Sequence, residues 1–404
     1  MMGAEPVENQ RIAKIEKWIF YFMGGFALSS SLSIAAANIL LSLGLAAALW
    51  RLWYKHDDLV TVLRAKRGIT IAFGVLFAAT LLSGLSSPDP VWSLRLFGDY
   101  YGYRMVGLYV VLVCVRDKRR LCWLAGLTML SISLNNIYTV GLGLFRPATN
   151  RPAGFMGYMV QAGILSAAVP VFLLAGMYLK KAAWRWSACF LTILSVAALL
   201  YNATRGAWIA VGITAPLVAF LLVENKGKWL IGCLATVLVL AGCFAVSPRL
   251  QHYGDTFHNM EYQSNHERLL IWQSAFHMFE DHPLLGVGFG QFEDAYHTQY
   301  ISPEAKEPGL GHAHSNVMQM LGERGALGCL AFMGMWVYFV VFGIRGWLRE
   351  RNIAYLAWFA IVMGVMLQGL TEYNMGTTVV TKFYWFVLGI CLQWIILSEE
   401  EMKS

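Results

Sequence analysis

Apolar stretches long enough to cross a bilayer recur along nearly the whole chain and are interrupted once, by a polar segment over residues 247–327. A spanning helix needs about 20 apolar residues to cover roughly 30 Å of hydrocarbon. On that criterion twelve spans are read, near 17–32, 34–53, 68–86, 104–115, 121–145, 157–179, 184–200, 206–223, 229–246, 326–344, 353–371 and 376–397. The expected fold is an all-α polytopic integral membrane protein, because helices satisfy their own backbone groups in lipid. It forms one membrane domain, 1–404, with the loop 247–327 inserted between the ninth and tenth spans and containing amphipathic helices. Arg11, Lys14 and Lys17 before the first span and Ala35, Ala36 and Ala37 after it imitate a cleaved leader. With spans continuing to residue 397, an uncleaved first helix is expected.

Composition agrees with this class: 57% of residues are hydrophobic, 14% are charged, and the mean hydropathy is +0.53. A net charge of +7 invites a nucleic-acid reading, but the cations fall on alternate loops, which is a topological pattern. With both termini cytoplasmic, the outer side keeps Arg95, Arg104, Arg146, Arg151, Arg205, Arg249, Arg268, Arg324, Lys306 and Lys382, and the other Lys and Arg lie inside. That outer set is nearly all arginine. A guanidinium grips phosphate in bidentate fashion where lysine is a point charge, so the bias hints at phosphate or diphosphate. Interfacial anchoring and ion pairing are the alternatives for any one of these arginines. The seven cysteines lie in spans or at their edges, which gives no sign of a disulfide framework or a cysteine-based zinc site.

Arg205 stands out because Tyr201-Asn202-Ala203-Thr204-Arg205-Gly206-Ala207-Trp208 leaves almost no loop between two spans. Thr204 or Asn202 is placed to cap the following helix, setting the guanidinium in its first turn. A cation is disfavoured there unless an anion is near, although anchoring beside Trp208 is a simpler use. In the long loop, Ser264-Asn265-His266-Glu267 reads as a capping box. Leu269, Trp272, Phe276 and Phe279 follow at helical spacing, with Arg268 near the helix start, and Pro283 ends it. Leu284-Leu285-Gly286-Val287-Gly288-Phe289-Gly290 then reads as a flexible turn, with no strand before it to make a nucleotide loop.

All but one of the nine histidines lie within 247–327. His252, His258, His266, His277, His282 and His297 are scattered, while His312 and His314 stand two apart before a helical stretch. The outer side has no Asp-x-Asp pair and no His-x-x-Glu-His pattern, so neither a metal nor another cofactor is expected. A histidine base fits better, since imidazole titrates near about pH 6.5 and can take a hydroxyl proton.

The segment from His314 to Gly328 matches a pattern known from O-antigen ligases: His, then Asn, Ser or Gln, nine residues, Gly, two residues, and Gly, Thr or Tyr. His314, Ser315, Gly325 and Gly328 occupy the constrained positions. If the segment is helical, His314, Met318, Leu321 and Gly325 share a stripe, with the glycine allowing close approach to a neighbour. The chain thus resembles the WaaL-type O-antigen ligases of the O-antigen ligase and polymerase superfamily. Topology carries the resemblance over nearly the whole length, and the specific motif over the segment at His314. The family places one arginine at the start of a span ahead of the long loop, which fits Arg205. It places a second in the loop before the histidine, which Arg268 in His266-Glu267-Arg268-Leu269-Leu270-Ile271-Trp272 resembles.

The resemblance implies glycosyl transfer at the periplasmic face of the bacterial inner membrane, from undecaprenyl-diphosphate-linked O-antigen to a sugar hydroxyl of lipid A-core, without metal or nucleotide. Arg205 and Arg268 would bind the diphosphate, His314 would be the base, and His312 is a supporting candidate. Arg146, Arg151, Asp99 and Glu372 share that face without an assigned role. The alternatives are an O-antigen polymerase, a protein O-oligosaccharyltransferase and, from another class, a secondary transporter or flippase. A chain ending soon after its last span, with one large outer loop, favours the ligase; spans nearly free of charge disfavour transport.

Overall fold

The computed structural model describes residues 4–55, 57–146, 151–256 and 263–402. Within them the chain runs α1 (Ala4–Ser29), α2 (Ile34–Tyr54), α3 (Asp57–Ala65), α4 (Arg67–Leu85), α5 (Pro90–Phe97), α6 (Val106–Cys114), α7 (Lys118–Phe145), α8 (Tyr158–Tyr178) and α9 (Ala182–Asn202). It continues through α10 (Arg205–Leu222), α11 (Lys226–Val246), α12 (Pro248–Asp255), α13 (Gln263–Asp281), α14 (Phe292–Ala295), α15 (Asn316–Glu350), α16 (Ile353–Gln368) and α17 (Thr378–Glu401). Short π-helical turns at Gly98–Tyr103 and Tyr296–Tyr300 extend α5 and α14. No strand occurs among the described residues.

Nine helices are long and apolar enough to cross a membrane: α2, α4, α7, α8, α9, α10, α11, α15 and α17, among the described residues. The architecture is that of a polytopic membrane protein. The spans predicted near 17–32, 104–115 and 353–371 coincide with α1, α6 and α16, which fall outside that set. α6 has only nine helical residues, but α5, the π-helical turn and α6 follow one another almost without interruption.

Sequence chemistry accounts for where several helices begin. Asp117, Asn225 and Asn352 accept from the backbone N–H groups of Arg120, Lys228 and Ala354, supplying partners the first helical turn lacks. Asp89 caps α5 with Pro90 directly after it. The largest apolar core joins residues of α4, α8, α15, α16 and α17, including Leu76, Phe172, Trp336, Trp358 and Tyr384. α8 and α17 are mostly buried in it, whereas α11 has no buried residue and lies at the periphery. On one end of the bundle, ion pairs join distant segments: Arg51 to Glu16 at 2.8 Å, Lys118 to Glu401 at 2.5 Å, and Lys66 to Glu399.

The opposite end is built by α15. Its first part does not descend into the bundle. The Asn316 N–H donates to Gly369 O at 2.7 Å, beside the end of α16, and the Arg324 guanidinium reaches Thr80 Oγ1 at 2.9 Å, near the end of α4. The segment between therefore crosses the ends of helices. At Gly325 the backbone takes φ 62° and ψ −164°, a region open to glycine alone, and the chain then continues as the apolar part of α15. A Cβ at Gly325 would lie 2.5 Å from the Leu284 carbonyl carbon and 2.6 Å from Leu285 N. Close approach at this glycine is as expected. The single helical stripe is not, because His314 precedes the Ser315 N-cap and Gly325 breaks the helix.

The glycine turn is also clamped, contrary to expectation. Val287 and Gly288 N–H donate to Gly322 O and Glu323 O, each at 3.0 Å, and Gly290 N–H donates to Glu323 Oε1 at 3.0 Å. Ser83 and Ser93 hydroxyls donate to Leu285 O and Phe289 O at 2.8 and 2.5 Å. At Gly288, φ is 108° and a Cβ would meet Ser87 Cα at 2.8 Å, so the glycine serves tight packing.

Candidate active site

Three segments remote in sequence meet where α10, α13 and the approach to α15 converge. Thr204 stands at the N-cap of α10, but its side chain is not spent on the helix as expected; it bonds Asn202 Oδ1 and accepts from Arg151 Nη2 at 3.1 Å. Arg151 also donates to Asn202 O and Ala203 O, at 3.2 and 3.0 Å, and lies 4.1 Å over the Tyr158 ring. This fixes the link that begins α10, so Arg205 emerges in its first turn. Arg205 donates to Thr256 O at 2.6 Å, Asn265 Oδ1 at 2.7 Å and Ser264 Oγ at 3.3 Å. Trp208 packs inward, its indole N–H bonded to Leu199 O at 2.9 Å.

The anticipated capping box is put to other uses. α13 already includes Gln263, so Ser264 is inside the helix, and the buried Glu267 accepts from Lys306 and Glu307 N–H at 2.9 and 3.3 Å. The face of α13 that is buried carries Glu267, Leu270, Ile271, Ser274, Ala275 and Met278. The predicted apolar stripe of Leu269, Trp272, Phe276 and Phe279 lies beside it and is only partly covered. Arg268 sits one turn before Trp272, whose indole N–H donates to Ala313 O at 2.8 Å. The Ala313 N–H in turn donates to Gln319 Oε1 at 2.8 Å, and the Ser315 hydroxyl accepts from Met318 N–H at 3.4 Å. His314 is held between these pins with φ 47°, in the left-handed region.

Its imidazole faces Glu372, from the loop between α16 and α17. His314 Nδ1 lies 3.3 and 3.4 Å from the two carboxylate oxygens, and Arg268 Nη2 lies 3.7 Å from Oε2. Glu372 is buried, 7% exposed, so water cannot easily satisfy its carboxyl group. Burial pushes its carboxyl up, but the hydrogen bond and charge of His314, with His312 and Arg268, outweigh this and hold it below 4.5. A carboxylate there favours the Nδ1–H tautomer of His314 and leaves Nε2 as the basic nitrogen. The Asn316 side chain, bonded to Asn374 Oδ1 at 2.7 Å and to Met375 N–H at 3.2 Å, ties the Glu372 loop to the start of α15.

Arg205, Arg268, His314 and Glu372 line one cavity of about 250 Å³, together with Arg151, Tyr158, Tyr253, Glu267 and Thr371. His312 does not line it. Its ring centroid is 4.3 Å from that of His314, and its Nδ1 accepts from the His314 N–H at 3.3 Å. His252, His266, His277, His282 and His297 are absent from the cavity, and His258 lies outside the described residues. Arg249 and Arg324 are buried elsewhere: Arg249 donates to Arg146 O at 3.2 Å, and Arg324 to Tyr101 OH at 2.7 Å. Both are fold-bearing arginines.

His312, His314 and Glu372 offer ligand atoms within 4.8 Å of one another, the donor set of a two-histidine, one-carboxylate cation site. Arg268 beside Glu372 competes for the same carboxylate and repels a cation. The arrangement suits an anion between the guanidinium groups, with an oriented imidazole at its edge.

The site also imposes a pH dependence on stability. Burial, reinforced by His314, pulls His312 from 6.5 down to about 4. Both His312 and Glu372 thus bind protons less readily folded than unfolded, so the unfolded chain takes up more protons and stability rises with pH. The His312 contribution is complete above 6.5 and lost as pH falls towards 4; that of Glu372 is lost below 4.5. The melting temperature in detergent should therefore fall between pH 7 and pH 4, and His312→Asn should flatten the upper part of that fall. A wild-type melting temperature that does not change over this range contradicts the assignment.

Residues 190–333 match the family model described as O-Antigen ligase. The match runs from within α9 to the middle of α15, and hence takes in Arg205, Arg268 and His314, and supports the O-antigen ligase/polymerase superfamily. No curated protein matches the chain.

Proposed function

We propose that this protein is a lipopolysaccharide O-antigen ligase, moving O-antigen from undecaprenyl diphosphate to a sugar hydroxyl of lipid A-core on the periplasmic side of the inner membrane. The observation that carries the reading is the convergence of Arg205, Arg268 and His314, from three separate segments, on one cavity. Family-level support reaches a glycosyltransferase-like activity on lipid-linked glycans.

In this reading the acceptor hydroxyl donates its proton to His314 Nε2 while its oxygen forms a bond to the anomeric carbon of the donor sugar. The bond from that carbon to the diphosphate oxygen breaks with inversion, and undecaprenyl diphosphate leaves with the electron pair. Arg205 and Arg268 stabilise the charge gathering on it, a task that a divalent cation performs in other transferases. Glu372 accepts from His314 Nδ1–H, keeps the ring oriented and stabilises the imidazolium as it forms. Glu372 is thus a positioning residue. His312, neutral at the pH of catalysis and bonded to the His314 backbone, holds the turn. A cavity of about 250 Å³ takes the reacting ends of the substrates, so the polymer and both lipids extend out of it.

The test supplies purified protein with undecaprenyl-diphosphate glycan and rough lipopolysaccharide, with EDTA present. A ladder of glycan on lipopolysaccharide is the expected result. Elongation of the lipid-linked donor instead assigns a polymerase, and absence of any product with either acceptor rejects the transfer reading.

A further inference from the structure

One apolar surface is left over by the proposed reaction. α13 divides lengthwise into three sectors. Ile271, Ala275 and Met278 are buried against the rest of the protein. Gln273, His277 and Glu280 are exposed and polar. Between the two runs an apolar sector of Leu269, Trp272, Phe276 and Phe279, in which Leu269 is 39% and Phe276 45% exposed. A further exposed apolar residue follows in the turn after the helix. Leu284 is 72% exposed, and its carbonyl accepts from Leu327 N–H at 3.2 Å, where the exposed face of the candidate span in α15 begins with Leu327 and Leu330. Leu284, just past the end of the loop helix, thus stands beside the start of the exposed apolar face of that candidate span.

The direction of α13 agrees. Trp272 meets Ala313, Ala275 and Met278 meet Gly322, and Pro283 O accepts from Ala326 N–H, so α13 runs alongside the segment of α15 that crosses the helix ends. Like that segment, it crosses the ends of the spanning helices. A helix so placed meets protein on one side, headgroup water on a second and acyl chains on the third, which is the three-sector division observed.

We propose that the Leu269, Phe276 and Phe279 sector of α13, with Leu284, is immersed among the phospholipid acyl chains of the leaflet on the site's side. The helix carrying Arg268 is thereby moored at headgroup depth. Only that last consequence, a cation waiting where a lipid diphosphate sits, rests on the proposed function; the immersion does not.

The test places a photoreactive benzoylphenylalanine at position 276, or at 273 on the polar sector, in the full-length protein in nanodiscs of phosphatidylethanolamine and phosphatidylglycerol. After irradiation, phospholipid adducts counted by mass spectrometry should be roughly tenfold more abundant from 276 than from 273, as a partly immersed helix requires. Position 284, in a turn outside the helix, gives a second reading should the 276 variant fold poorly, with the same excess expected. Equal yields from both sectors, or crosslinks from 276 to a second copy of the chain, overturn the proposal. The readout does not use transfer, so an inactive protein with lipid adducts rejects the ligase reading alone, and an active one without them rejects the mooring alone.

Discussion

Replacing His314 by alanine should lower glycan transfer by about 10²–10⁴-fold, the range that a positioned general base supplies. The effect belongs in kcat, because the imidazole acts on the acceptor proton as the new bond forms and contributes little to holding either lipid substrate. Glu372→Gln separates chemistry from architecture. The amide can still contact the ring, but it no longer selects the Nδ1–H tautomer or stabilises the imidazolium. That variant should keep its KM for donor and lose part of kcat. Full transfer by a well-folded His314→Ala protein sinks the base assignment. A Glu372→Gln enzyme with unchanged kcat removes Glu372 from the positioning role.

The second large effect is expected at the arginines. Arg205→Ala and Arg268→Ala should each reduce transfer by about 10²–10³-fold, as the loss of one preorganised contact to developing charge does elsewhere. Lysine at either position should recover only part of this, since an ammonium cannot pair two oxygens in a plane. The two should differ in detail. Arg268 also faces Glu372 at 3.7 Å, so its removal takes away one of the positive charges that hold the Glu372 carboxyl low. Arg205 is bonded to Thr256, Ser264 and Asn265, so its removal also loosens the entry to α13. Initial-rate assays against donor concentration, with inhibition by undecaprenyl diphosphate as a measure of binding, separate the two. An Arg268→Ala protein with wild-type kcat and wild-type inhibition contradicts the diphosphate role.

Much of this site was legible in the chain because its main residues sit in local contexts with their own signals. Arg205 follows a loop too short to hide it, Arg268 opens an amphipathic helix, and His314 heads a spaced motif. All three line the same cavity. Glu372 carried no such signal: a single carboxylate in a short loop after a span acquires meaning only when folding sets it 3.3 Å from a histidine 58 positions away. Local pattern failed where tertiary packing reassigned side chains. Ser264 and Glu267 have the spacing of a capping box, yet the helix starts ahead of them and Glu267 turns to the 306–307 backbone. Helical periodicity through His314 to Gly325 likewise missed the break, because a glycine with positive φ is indistinguishable in sequence from one that permits close packing. The long apolar runs were the easiest reading, since burial in lipid demands length and apolarity together. α6 and α16 coincide with predicted spans but are shorter than that demand and fall outside the nine helices that meet it among the described residues.

The left-handed backbone at His314 has a thermodynamic consequence. For a residue with a Cβ that conformation costs of the order of 1 kcal/mol or more, and here the hydrogen bonds of Trp272, Gln319 and Ser315 hold it in place. A glycine in place of His314 would occupy the same turn without that backbone penalty, while giving up the contact with buried Glu372 and adding freedom to the unfolded chain. The His314→Gly protein, supplied with free imidazole to fill the space left by the ring, would be the form in which to restore the missing base from solution.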